Sequence, residues 1–366
     1  MRKIVFLFCF PFLLSFSQEK ASTYFDAQLF RGTIYKHKED ISHLITGHPD
    51  GFLLSYNWKT FGKKEWQQVY NYPDYGVSYH YLDFKNQFLG VNHAFGVHYN
   101  FYFFKRHLML RVSQGIGITS NPYDKQNNNK NNAFGTRLMD NNYFLLQYKK
   151  ENIIDKIGIQ AGFMLTHFSN GRFKSPNSGI NTFTFNVGLN YNFNDKAQEF
   201  IVDSLPSKTN FKERIKYNIA FRTGISEGPV PHLGQRQFYH IGLYADKRIG
   251  RKSAIQLGTD VFFSRYLLDY IKFVSVAFPE NSSSYTAADT DYRRVGLFVG
   301  HELFISNLSI ETQLGYYVYK PFKYESDLYQ RIGAKYYIYK NIFTGVGLKT
   351  HGGRAEAIEA TIGVRL

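Results

Sequence analysis

Cysteine is almost missing from this chain. Cys9 is the single one in 366 residues, and it sits in an apolar run from Ile4 to Phe16 that follows Met1-Arg2-Lys3. That opening reads as a secretory signal over 1–17, too short to span a membrane, with Ser15 and Ser17 at the two small positions a signal peptidase reads. Cleavage is expected before Gln18. The remaining chain then has no cysteine, which excludes disulfides and thiolate chemistry. Long apolar runs are missing too. After residue 17 no stretch approaches the roughly 18 apolar residues a spanning helix needs, and mean hydropathy is −0.35. Acidic residues are few, 29 against 44 basic, for a formal net charge of +15. Losing Arg2 and Lys3 with the signal leaves 42 against 29, or +13. An excess of that size implies an anionic partner. An exported protein seldom meets nucleic acid, so anionic lipid or lipopolysaccharide phosphate fits better.

What the chain has in plenty is aromatic side chains, 18% of all residues. A signal, many aromatics, low mean hydropathy and no helix span together indicate an outer-membrane β-barrel. Alternation is the test. In 106–119, Leu108, Leu110, Val112, Ile116 and Ile118 oppose Arg111, Ser113, Gly115 and Gly117. In 355–366, Ile358, Ala360, Ile362, Val364 and Leu366 oppose Glu359, Thr361, Gly363 and Arg365. A soluble sandwich also alternates. Here, however, many segments run to roughly 10–14 residues, beyond the ~5–6 usual in soluble sheets, and the second face mixes Lys, Arg, Glu and Gln with Gly, as a wet lumen does.

The predicted fold is therefore all-β, a transmembrane antiparallel outer-membrane β-barrel of about 12–16 strands. Candidate strands fall at 23–33, 50–59, 74–84, 89–104, 106–119, 134–149, 156–169, 180–194, 213–226, 235–247, 252–268, 290–306, 307–320, 327–340, 341–351 and 355–366. Long polar connections such as 121–132, 172–179 and 269–289 alternate with short turns. Residues 195–212 form a charged connector between a first half, 18–194, and C-terminal strands, 213–366, expected to complete the same barrel.

One stretch carries chemistry. His167 and Ser169 are two residues apart in a strand, so they share a face. That face also holds Ile157, Ile159, Phe163 and Leu165 and should meet lipid. In the next strand Phe183, Phe185, Val187 and Leu189 form the matching face, and one further step brings Asn181 to it. A polar residue facing hydrocarbon is costly without partners. At the membrane interface that cost falls and lipid headgroup esters come within reach. If 156–169 is the seventh strand and the N-terminus is periplasmic, the site lies at the outer leaflet. Ser169 is then a candidate nucleophile, His167 its base and Asn181 the group that orients the imidazole. Asn170 and Gly171 are candidates to hold an oxyanion, and Arg172 and Lys174 to meet phosphate or sugar. The bland alternative is a strand end before a polar loop.

The segment His167-Phe168-Ser169-Asn170, continued by Lys174, Pro176-Asn177, Gly179-Ile180 and Asn181, resembles the active-site segment of the PagL-type lipid A 3-O-deacylases, acyloxyacyl-hydrolase-like outer-membrane proteins. The resemblance implies an outer-membrane barrel, eight-stranded in that family, that hydrolyses an ester-linked acyl chain of lipid A with histidine, serine and glutamate. It assigns the histidine to His167, the nucleophile to Ser169 and an oxyanion-region asparagine to Asn170. Two positions depart. Asn181 stands where the family has glutamate, so it can orient the histidine but not stabilise its charge, and either activity falls or another acid substitutes. The family's oxyanion glycine is displaced by one residue, to Gly171. The likeness runs over Thr23–Phe193, and the part from 213 onward resembles extended members.

The expected localisation is the Gram-negative outer membrane, with lipid A as substrate and no nucleic-acid partner. No histidine spacing resembles a zinc site, and neither metal nor cofactor is expected. His351 shares a face with Lys349 and should be luminal. Trp66, Tyr70, Tyr72 and Tyr75 read as an aromatic girdle. The competing class is a porin or transport barrel that keeps a degenerate motif, favoured by the larger barrel and by Asn181. An adhesin is favoured only by the Asn127–Asn132 run.

Overall fold

The computed structural model describes residues 22–194, 199–202, 211 and 213–366. The signal segment with Cys9 and most of the 195–212 connector lie outside the described residues. Among the described residues sixteen antiparallel strands form: β1 (Thr23–Tyr35), β2 (Asp50–Trp58), β3 (Asp74–Asp83), β4 (Val91–Phe103), β5 (Leu108–Thr119), β6 (Leu138–Ile154), β7 (Ile157–Ser169), β8 (Ile180–Asn192), β9 (Lys216–Glu227), β10 (Gln235–Arg248), β11 (Ser253–Phe263), β12 (Arg294–Ile305), β13 (Leu308–Tyr319), β14 (Leu328–Tyr339), β15 (Ile342–His351) and β16 (Arg354–Arg365). Each candidate segment has its strand, with ends shifted by a few residues. The largest misreading is 252–268. There β11 stops at Phe263 and a helix, α2 (Tyr266–Ala277), follows. A shorter helix, α1 (Glu65–Val69), holds Trp66.

The strands close as two barrels of eight, not as one larger barrel. β1 pairs with β8, and β9 pairs with β16. Alternation says which face a side chain takes but not which strands meet. Once β8 has paired with β1, the first sheet has no edge left to recruit β9. Both closed sheets keep the predicted faces. Ile157, Ile159, Phe163 and Leu165 of β7 point outward and are exposed or nearly so, while Gln160, Met164, Thr166 and Phe168 are buried in the lumen. In β16, Glu359 points inward, and His351 at the end of β15 is buried as expected.

Eight strands enclose an interior just wide enough for side chains, and both interiors are filled. In the first, Arg111 donates to Asp26 (2.8 Å), to Asn100 (2.8 Å) and to Ser55. Beyond this polar layer an apolar plug of Phe30, Leu53, Leu82, Met164 and Phe168 fills the half nearer the 170–179 loop, closed by Leu44 and Phe134 from the loops. The Asn127–Asn132 run is part of that closure. Asn128 and Asn131 are buried and donate to the carbonyls of Phe88 and Asn121, so the run is a structured lid support. The second interior is ionic: Arg222 and Arg331 meet Asp260, Glu311 and Glu359, and Lys335 meets Glu302 and Glu311. Among the described residues, the luminal side chains of both barrels are buried against one another. Planar-bilayer recordings of the purified chain should show no steady conductance above the bare membrane; ohmic channels would restore the porin reading.

The two barrels touch at both ends. At one end Tyr70 donates to the Phe304 carbonyl (2.8 Å), so this supposed girdle residue joins the barrels, and Glu65 of α1 pairs with Arg251. At the other end the β7–β8 loop, residues 170–179, lies against the rim of the second barrel.

Candidate active site

β7 and β8 pair with His167 opposite Asn181. On the other side of β7, Ser169 pairs with Asp140 and His167 with Asn142 of β6. All five side chains lie on the outward face, at the loop end of their strands. Phe168, between the histidine and the serine, points the other way. It packs in the lumen beside His80 and Phe84, and this anchors the strand end so that its two neighbours stay outside.

His167 and Asn181 are joined as expected, with Nδ1 at 2.6 Å from Asn181 Oδ1. The carbonyl oxygen can only accept, so Nδ1 carries the proton and Nε2 keeps its lone pair. That is the tautomer a base needs. Gly179 comes close on the same side. It has φ +69°, and a Cβ there would stand 3.2 Å from the imidazole and 3.5 Å from Ser169 Cβ, which favours glycine twice over.

Ser169 is engaged differently. Its hydroxyl accepts from the Gly171 N–H (3.1 Å) and from Asn177 Nδ2 (2.9 Å), with Asn177 Oδ1 at 3.2 Å to receive its proton. Among the described residues no hydrogen bond joins it to His167. Loose catalytic contacts are common before substrate binds.

The remaining candidates divide. The Gly171 N–H sits beside the serine oxygen. Asn170 does not bring its amide there: Nδ2 donates to the Lys174 carbonyl (2.7 Å) and Oδ1 accepts the Arg172 N–H (2.9 Å). Its side chain shapes the loop. Asn177 takes the place beside Ser169; it was visible in the motif but carried no role. Arg172 does not face outward toward a substrate either. Its guanidinium is buried against Glu325 of the second barrel at 3.0 Å, because a charge leaving water needs an opposite charge. Lys174 is half-buried at the rim.

Two features were not anticipated. Asp140 puts a carboxylate across the strand pair from Ser169, hydrogen-bonded by the amides of Gln114 and Asn142. Lys38, in the loop after β1, donates to the Ser178 carbonyl at 3.1 Å. Burial draws its ammonium below the usual range; Asp40 opposes this, while Arg354 and Arg172 add to it. Cations from both barrels thus gather around the serine loop.

No curated protein sequence matches the chain. Among solved structures it is similar to the Acinetobacter baumannii outer membrane protein Omp33, at 10% identity over 95% of this chain and 100% of that chain, with a TM-score of 0.19. A Rhodopseudomonas blastica porin triple mutant matches at 10% identity over 94% and 99%, also with a TM-score of 0.19. At those scores the fold rests on the strand pairing alone. Family models are more informative. Residues 50–190 match "Lipid A 3-O-deacylase (PagL)", and residues 215–366 match "Acyloxyacyl hydrolase, C-terminal domain". The first match contains the whole His167–Asn181 segment, the second coincides with the second barrel, and the chain therefore belongs to the PagL-type lipid A deacylase family, in a form that carries the additional C-terminal domain.

Proposed function

We propose that this protein is an outer-membrane ester hydrolase that removes an ester-linked acyl chain from lipid A. The observation that carries the reading is the outward polar cluster. A serine with two converging hydrogen-bond donors lies beside a histidine of the right tautomer, on a face otherwise built for acyl chains.

In this mechanism Ser169 Oγ attacks the ester carbonyl carbon as His167 Nε2 takes its proton. The oxyanion that forms is attached to the same carbon as Oγ. The Gly171 N–H and Asn177 Nδ2, already directed at Oγ, are placed to receive it. The intermediate expels the sugar alkoxide, which takes the proton from His167. Water, activated by the same histidine, then releases the fatty acid and restores Ser169. Asn181 holds the ring throughout. Lys38 and Lys174 attract the phosphates of the substrate.

Purified protein in detergent, incubated with lipid A, tests the reading: one fatty acid should be released per lipid. Intact lipid A after prolonged incubation would sink it. Asn181→Ala should lower kcat by ~10–100-fold with little change in KM, because it loosens the base without touching the substrate. Asn181→Glu should match or exceed the parent. A change in KM alone in either variant would remove Asn181 from the mechanism.

A further inference from the structure

The first half of the serine loop is held by the second barrel, while residues 177–179 are held by the first. Arg172 places its guanidinium in the mouth of β9–β16. There Nη1 donates to Glu325 (3.0 Å) and lies 3.5 Å from the Ala355 carbonyl, while Nη2 donates to the Tyr324 hydroxyl (3.2 Å). The Arg172 carbonyl accepts the Glu227 N–H at 3.1 Å. Three residues on, the Ser175 N–H donates to the Glu227 carboxylate (2.6 Å) and its hydroxyl to the Gly228 carbonyl (2.8 Å). Gly171 itself has φ +60° and lies so close to Ile358 of β16 that a Cβ would come within 2.2 Å of its side chain. The loop is thus gripped from Gly171 to Ser175, directly after the Gly171 N–H that meets Ser169.

The grip is electrically provided for. Burial and the adjacent Glu356 push the Glu325 carboxyl up; His351, Arg172 and Arg294 outweigh them and hold it below the usual carboxylate range. Glu325, His351 and Glu356 also stand close enough together to suggest a cation site. The carboxylates are already taken, however, by Arg172, Arg294 and Lys349. Three cations on two anions leave no negative charge for a metal. The cluster is a socket for Arg172.

We infer that the second barrel is a positioning device for the first barrel's active site: Arg172, seated in the Glu325 socket, and Glu227 hold the 170–176 segment so that the Gly171 N–H faces the reacting oxygen. This rests on the proposed role of Ser169 as nucleophile. None of the three residues touches the substrate; each acts through the loop. The added domain then serves catalysis without contributing a reacting group.

The test uses the full chain with Arg172→Gln, Glu325→Gln, their double variant and, separately, Glu227→Gln. In Arg172→Gln the socket keeps Arg294 and Lys349, so the barrel has no unpaired anion and folds. Three readouts are taken: lipid A deacylation, the rate at which a fluorophosphonate labels Ser169, and amide hydrogen exchange over 170–179. Displacement of a reacting group by about 1 Å costs up to ~100-fold, so kcat and the labelling rate should fall together by ~10–100-fold while KM stays within ~2-fold. Exchange over 170–179 should accelerate. The double variant should be no worse than Arg172→Gln alone, since the two residues act as a pair. Glu227→Gln, which loosens the loop at Ser175, should repeat the pattern. A raised KM with unchanged kcat would overturn the inference and return Arg172 to substrate binding. Unchanged labelling and exchange in both Arg172→Gln and Glu227→Gln would overturn it as well. If the parent leaves lipid A intact but its Ser169 labels, and the variants slow that labelling, the substrate reading fails and the positioning role stands.

Discussion

Ser169→Ala is expected to abolish acyl release, by ~10³-fold or more, while leaving the barrel intact. The two halves of that statement have different causes. Without Oγ there is no acyl-enzyme, and only binding and the oxyanion donors remain to assist water. The folded state loses much less. The hydroxyl exchanges hydrogen bonds with Asn177 and Gly171, worth about 1 kcal/mol each. The strand itself is fixed by Phe168 in the lumen and by pairing to β6 and β8. His167→Ala should be about as severe, and the double variant hardly worse than either single one, because residues that act as a unit do not contribute additively. The comparison is made on purified protein by fatty-acid release, with heat-dependent gel mobility as the check on folding. A Ser169→Ala protein that keeps more than a tenth of the parent rate would contradict the assignment.

The largest effect on stability should come from the second lumen. Arg331 bonds Asp260 at 2.9 Å and Glu359 at 2.6 Å, and all three side chains are buried. Arg331→Met leaves Asp260 to Arg222 and the Tyr329 hydroxyl, and Glu359 to His240. Breaking a buried ion pair from one side costs about 3–5 kcal/mol, because a charge stays behind without its partner. Removing the charges together should cost less, so Arg331→Met with Glu359→Gln should recover part of the loss. The midpoint of urea unfolding in detergent, followed by gel mobility, measures both. Equal loss in the single and double variants would mean that packing volume, not charge, sets the cost.

The sequence made the strands legible because a barrel wall imposes a period of two on every residue. Gln160, Met164 and Phe168 had to differ from Ile159, Phe163 and Leu165, and each difference is local. Closure was not legible. β8 meets β1 far along the chain, Tyr35 opposite Asn181 and Tyr24 opposite Asn192, and nothing in the alternation of either strand names its partner. That is why one large barrel was expected and two small ones formed. The helix α2 had a signal: Leu267, Ile271 and Val274 follow a period near 3.6, and all three are buried. It was hidden by the strand before it and the polar run after it.

The site divides the same way. His167, Ser169 and Asn181 came from one hairpin and one face. Asp140 could not, since its place opposite Ser169 depends on the β6–β7 register. The Arg172 socket could not either, since it is built from residues 50 to 180 positions away. An arginine beside a catalytic serine suggests a phosphate; the structure gives it a carboxylate of the second barrel instead.

The central claim is that Ser169 turns this outward-facing cluster into a lipid A esterase. Mass spectrometry of lipid A from Gram-negative cells expressing either the parent or Ser169→Ala tests it most directly. The account predicts that the parent shifts lipid A down by the mass of a single ester-linked acyl chain and that Ser169→Ala leaves it unshifted. An unmodified lipid A profile with the folded parent, or the same shift in both, would contradict it.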